Sequence, residues 1–124
     1  MVHVHPSILV IDDHADIRDV LQAFLRIGGY AVDTAENGRE ALIKLRGGLR
    51  PCIILLDLMM PVMDGAEFRQ EQLNDPELAG IPVIVFTALD QPVRLVEGLH
   101  ANAYMQKPVS TDELLALVRK HCLK

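Results

Sequence analysis

The sequence predicts an α/β domain: a parallel sheet of five short strands, with five helices packed on its two faces. Three observations predict it. Runs that are apolar at every position, such as Ile8-Leu9-Val10-Ile11 and Ile53-Ile54-Leu55-Leu56, read as strands buried on both faces. Segments with apolar residues at helical spacing lie between such runs. Strand and helix therefore alternate, which requires parallel strands joined by right-handed crossovers. A length of 124 residues, 50% of them hydrophobic, suits one domain able to bury about two-thirds of its unfolded surface without covalent staples.

Residues 1–6 (Met-Val-His-Val-His-Pro) read as a lead-in to a domain over residues 7–124. Residues 7–11 form the first strand, which runs into Asp12-Asp13. Ile17, Val20, Leu21 and Phe24 mark a first helix, stopped by Gly28-Gly29. Residues 30–34 form the second strand. Asn37 or Gly38 opens a second helix through Ala41, Leu42 and Leu45, ending at Gly47-Gly48. Residues 52–56 form the third strand and lead into Asp57. Pro61, Asp64 and Gly65 make residues 58–65 a loop, and a weakly periodic third helix covers residues 66–73. Residues 82–86 form the fourth strand, ending at Thr87. Pro92 suits the first turn of a fourth helix with Leu95, Val96 and Leu99. Residues 103–106 form the fifth strand, ending at Lys107-Pro108. Ser110-x-x-Glu113 reads as a capping box for a last helix that places Leu114, Leu117, Val118 and Cys122 on one face.

Composition excludes several function classes. Twelve Lys and Arg against seventeen Asp and Glu give a net charge of −5, which argues against nucleic-acid binding through bulk charge. The apolar runs are too short to span a bilayer, and the N-terminus lacks the basic and apolar regions of a secretory signal. A cytoplasmic protein with no membrane contact is the expectation. Cys52 and Cys122 stand far apart without metal spacing and read as free thiols in a reducing compartment.

The chemistry gathers where the strands end. Parallel strands put Asp12, Asp13, Asp57, Thr87 and Lys107 at one edge of the sheet, the edge where such folds bind ligands. Two carboxylates about 5 Å apart repel by roughly 3 kcal/mol at an effective dielectric near 20. Lys107 offsets part of that charge, and a hard divalent cation such as Mg²⁺ offsets more. Asp57 is then a metal ligand or a nucleophile that forms an aspartyl phosphate. Phosphoryl transfer needs mainly positioning and neutralisation of the equatorial oxygens, which a cation, a lysine and a hydroxyl supply.

These residues resemble the receiver domain of bacterial response regulators in two-component signalling. The motifs are Ile11-Asp12-Asp13, Asp57-Leu58-Met59-Met60-Pro61-x-Met63-Asp64-Gly65, Thr87-Ala88 and Lys107-Pro108, and the likeness spans residues 7–123. The resemblance implies a flavodoxin-like, doubly wound three-layer (βα)5 sandwich with strand order 2-1-3-4-5. It implies that Asp57 accepts a phosphoryl group from a sensor histidine kinase or phosphotransfer protein. Mg²⁺, or Mn²⁺ in its place, would be held by Asp12, Asp13, Asp57 and the Met59 backbone carbonyl. Lys107 would pair with the phosphoryl oxygens, Thr87 would swing towards them, and Tyr104 would rotate inward as Thr87 moves. The Lys107–Pro108 peptide is expected to be cis. His100 stands near a position where the family often has Gly, so a left-handed conformation there would be strained.

The implied function is a phosphorylation-controlled signalling switch, not an enzyme with a substrate pocket. Its reporting face is the fourth predicted helix, the fifth strand and the last helix. Its output is a downstream protein or a separate output domain, through a monomer or a weak phosphorylation-dependent dimer. The exposed side of the first helix, with Asp16, Arg18 and Asp19, is an expected kinase contact. The alternative is a receiver-like binding module that is never phosphorylated. An aspartyl-phosphate hydrolase would want a second Asp at Met59, and a flavin binder would want a Ser/Thr/Gly-rich loop where Asp12-Asp13-His14-Ala15-Asp16 stands.

Overall fold

The computed structural model describes residues 7–88 and 98–122. Its strands are β1 (Ser7–Ile11), β2 (Ala31–Ala35), β3 (Ile53–Asp57), β4 (Val83–Thr87) and β5 (Ala103–Gln106). Its helices are α1 (Ala15–Ile27), α2 (Gly38–Arg46), α3 (Gly65–Leu73) and α4 (Thr111–His121). Every strand pair is parallel, and the order is β2-β1-β3-β4-β5. The chain thus reverses its winding direction at β1, and β1 and β3 lie side by side in the centre. The fourth predicted helix, around Pro92, and the lead-in at residues 1–6 lie outside the described residues.

Strand periodicity divides the core into two layers, because successive side chains point to opposite faces. Leu9, Ile11, Ile54, Leu56, Val83 and Val85 pack with Ala41, Leu42 and Leu45 of α2 and Phe68 of α3. Ile8, Val10, Ile53, Leu55, Ile84 and Phe86 pack with Leu21 and Leu25 of α1 and Leu114 and Val118 of α4. β3 and β4 are buried along their whole length, which explains their unbroken apolar runs. Val20 departs from its predicted inward position: it is exposed, and Leu25 fills the core instead.

β2, β3 and β4 each begin one residue later than the sequence predicts, and α3 begins one residue earlier, at Gly65. The helix starts follow from side-chain acceptors for orphan amides. Asn37 Oδ1 accepts from Glu40 N at 2.9 Å. Ser110 Oγ accepts from Glu113 N at 3.4 Å, the forward half of the predicted box. A reciprocal box forms at α3: Asp64 Oδ1 accepts from Glu67 N at 2.9 Å while Asp64 N donates to Glu67 Oε1 at 3.2 Å.

The Lys107–Pro108 peptide is cis, as the resemblance implies, and His100 adopts the left-handed conformation, at φ +49. The expectation of free thiols is corrected, since Cys52 and Cys122 form a disulfide across 70 residues with their Cα atoms 5.5 Å apart. The topology brings them together: Cys52 stands just before β3, Cys122 caps the end of α4, and both belong to the same apolar layer. No helix among the described residues is long and apolar enough to cross a membrane.

Candidate functional site

β1 and β3 are neighbours in register, with Ile11 beside Leu56, so the residues that follow each strand emerge together. Asp12 and Asp57 are both buried, at 0% and 2% exposure. Lys107, reaching in after β5, places Nζ 3.0 Å from Asp12 Oδ2 and 3.5 Å from Asp57 Oδ1. The same ammonium lies 5.0 Å from the Phe86 ring centroid, where the ring face attracts it. Lys107 N also donates to Thr87 O at 2.7 Å, which ties the ends of β4 and β5 together.

Asp12 is fixed on three sides. His14 N donates to its Oδ1 at 2.8 Å, and His14 Nδ1 lies 3.0 Å from the same oxygen. Arg18 donates to its carbonyl at 2.7 Å. Asp13 is half-buried, with Oδ1 3.1 Å from His14 Nδ1 but not aligned with it as a hydrogen bond. Single ligand atoms of Asp12, Asp13, His14 and Asp57 all lie within 4.8 Å of one another.

Asp57 is the strained member. Its pKa rises from 3.8 to about 6 because burial strips water from the carboxylate and Asp12 repels it. Lys107 and the Met59 amide pull in the other direction without cancelling the rise. Asp57 Oδ2 and Asp13 Oδ1 are buried with no hydrogen-bond partner. Orphaned buried oxygens are rare, and two of them beside a third carboxylate fit a hard, oxygen-seeking cation.

The structure therefore brings together Asp12, Asp13, Asp57 and Lys107, as the sequence predicts. Thr87 is buried at the end of β4, in register with Gln106. Met59, whose amide faces Asp57, has an exposed side chain. Tyr104 is 44% exposed, and its hydroxyl accepts from Ala101 N at 3.3 Å, so it is turned outward. Two neighbours escaped sequence reasoning. His14 braces Asp12, and its only sequence signal is that it follows the two acidic residues directly. Arg18, assigned to a kinase contact, spends its guanidinium on the Asp12 carbonyl.

Comparisons with known proteins bear on the family and the fold. The profile of the response regulator receiver domain matches residues 8–119. The response regulator MprA of Mycolicibacterium vanbaalenii is 43% identical over 115 residues, covering 90% of this chain and 48% of that protein. The chain spans about half the length of the curated relatives it matches. Among solved structures, chemotaxis protein CheY4 of Vibrio cholerae superposes with TM-score 0.86 at 29% identity, covering 95% of this chain and 99% of CheY4. Response regulator TrrA of Thermotoga maritima, solved in complex with Mg(2+)-BeF, superposes with TM-score 0.82 at 35% identity, covering 93% and 97%.

Proposed function

The chain belongs to the response regulator receiver domain family, and from that premise we propose that it is a switch thrown by phosphorylation of Asp57. The observation that carries the reading is the unpartnered Oδ2 of Asp57, buried beside Lys107 and Asp12. A carboxylate held there cannot relax into water. It gains from taking on a group whose extra oxygens reach a cation and an ammonium.

An Asp57 oxygen attacks the phosphorus of a phosphohistidine on a sensor histidine kinase or phosphotransfer protein. The O–P bond forms as the N–P bond breaks, and the imidazole leaves. Asp12, Asp13, Asp57 and the Met59 carbonyl are the proposed holders of Mg²⁺, with Mn²⁺ accepted by the same oxygen donors. The bound cation would neutralise charge on the transferring oxygens. Lys107 has its ammonium poised between Asp12 and Asp57 to follow the new phosphoryl oxygens. Thr87 is the proposed hydroxyl donor, and Tyr104 the aromatic that turns inward as Thr87 moves.

The proposed domain covers residues 7–124. Its phosphorylated form would signal through the face around β5 and α4 to a downstream protein or an output domain, as a monomer or a weak phosphorylation-dependent dimer in the cytoplasm. The test is intact mass after incubation with Mg²⁺ and acetyl phosphate, beside Asp57→Asn. One added phosphoryl group in the wild type only, lost when chelator replaces Mg²⁺, is the expected result. A folded, Mg²⁺-supplied wild type that gains no mass would overturn the reading in favour of an unphosphorylated binding module.

A further inference from the structure

Arg69 lies one turn into α3, takes no part in the acidic site, and is only 4% exposed. Each of its three guanidinium nitrogens donates a hydrogen bond. Nε donates to Leu99 O at 2.7 Å, Nη2 to His100 O at 2.9 Å, and Nη1 to Gln72 Oε1 at 2.7 Å. Gln72 is itself buried, and its Nε2 donates to Leu78 O at 2.9 Å and Ile81 O at 3.0 Å. Among the described residues no carboxylate forms an ion pair with Arg69. A cation buried among carbonyls alone is costly, and burial lowers its pKa. Core packing alone would be served better by an apolar residue, so the cost points to what the guanidinium holds.

What it holds is a turn beside the switch aromatic. His100, whose carbonyl is one of the two that accept from Arg69, sits at φ +49, which non-glycine residues rarely adopt. The next residue, Ala101, donates its amide to the Tyr104 hydroxyl at 3.3 Å. At the other end, α3 starts against the phosphoacceptor strand. Gly65 N donates to Leu58 O at 3.0 Å, and a Cβ on Gly65 would lie 2.5 Å from Asp57 O. One short helix therefore touches the Asp57 backbone with its first residue and the Tyr104 turn through its fifth.

We propose that Arg69 is a positioning residue of the switch, a latch that pins the Leu99 and His100 carbonyls to α3 and thereby holds Tyr104 outward in the unphosphorylated state. The proposal rests on the reading of Asp57 and Tyr104 given above. Contiguity alone does not establish coupling; what does is a two-state element whose equilibrium the latch biases. Lysine preserves the charge but cannot span two carbonyls and an amide oxygen, so Arg69→Lys breaks the geometry while keeping the cation.

The test uses the 124-residue chain labelled with 3-fluorotyrosine. It contains two tyrosines, and the resonance of Tyr104 is assigned with Tyr104→Phe. In the wild type, Mg²⁺ with beryllofluoride is expected to move the Tyr104 fluorine resonance from its outward to its inward position. In Arg69→Lys without beryllofluoride, the resonance is expected to lie part-way inward, with the inward population raised about threefold or more. A lowered Tm with the resonance unmoved would make Arg69 a merely structural residue and overturn the latch. A wild-type resonance indifferent to beryllofluoride would instead overturn the underlying switch. Should Arg69→Lys not fold, Arg69→Met, which removes both carbonyl bonds together with the buried charge, decides the matter by the same displacement.

Discussion

Burial and the neighbouring Asp12 make the Asp57 carboxyl harder to ionise. Its raised pKa, about 6 against 3.8, means that the folded state binds more protons than the unfolded state between those values. Stability is therefore lost as pH rises through that window, and the full loss of about 3 kcal/mol is present above pH 6. Asp57→Asn removes the charge and is expected to stabilise the metal-free protein by about that amount at pH 8. The gain should fade as pH falls from 6 towards 3.8. Urea melts of both proteins in metal-free buffer at pH 8 and pH 4 check it; equal stabilities at pH 8 would refute the electrostatic reading. At this scale Asp12, Asp13, Asp57, Thr87 and Lys107 were legible in the sequence, because a parallel sheet collects its strand ends at one edge. Arg69 was not. A charged residue in a helix reads as solvated, and its burial depends on carbonyls thirty residues away at Leu99 and His100.

The element that most needed the structure is α3. Its periodicity is weak because Arg69 and Gln72 occupy inward positions where a sequence reader looks for apolar residues. Its start is fixed by the Asp64 and Glu67 capping box and by the contact of Gly65 with the end of β3. A Cβ at Gly65 would meet Asp57 O at 2.5 Å and Leu58 Cα at 2.8 Å, both backbone atoms that cannot swing aside. Gly65→Ala is expected to cost about 1–3 kcal/mol of stability and to slow phosphorylation of Asp57 by displacing it. Gly80 supplies the contrast, since a Cβ there would meet nothing within 4 Å. Gly80→Ala should be neutral or stabilising by up to about 1 kcal/mol, through the unfolded chain. Denaturant melts of the pair give the answer. Equal and small effects would show that α3 can retreat from Asp57 freely, which would also weaken its claim to connect Asp57 with the Tyr104 turn.

For the whole molecule, the alternation of apolar runs and helical segments specified the layers and connectivity, because each central strand must bury two faces and each helix one. It could not specify which distant residues meet at the sheet's far end, and the Cys52–Cys122 bond was missed for that reason. The bond closes a loop of 70 residues that contains Asp57, Thr87, Tyr104 and Lys107. In the chain-entropy account, a loop of that length stabilises the fold by about 4 kcal/mol, through the unfolded state. Reduction leaves the apolar contacts of buried Cys122 in place, so the native fold should persist while its margin shrinks. For a domain of this size the Tm is expected to fall by roughly 15 °C in reductant. Cys122→Ser should fall at least as far and then be insensitive to reductant. Thermal melts with and without reductant, alongside thiol titration of the native and denatured protein, measure it. Two titratable thiols in the unreduced, denatured protein, with no change of Tm on reduction, would mean that the pair is apposed but unbonded. Phosphorylation of the reduced protein at an unchanged rate would then separate the two functions of the half-molecule the loop encloses: chemistry set by the carboxylate edge of the sheet, and stability set by the opposite end.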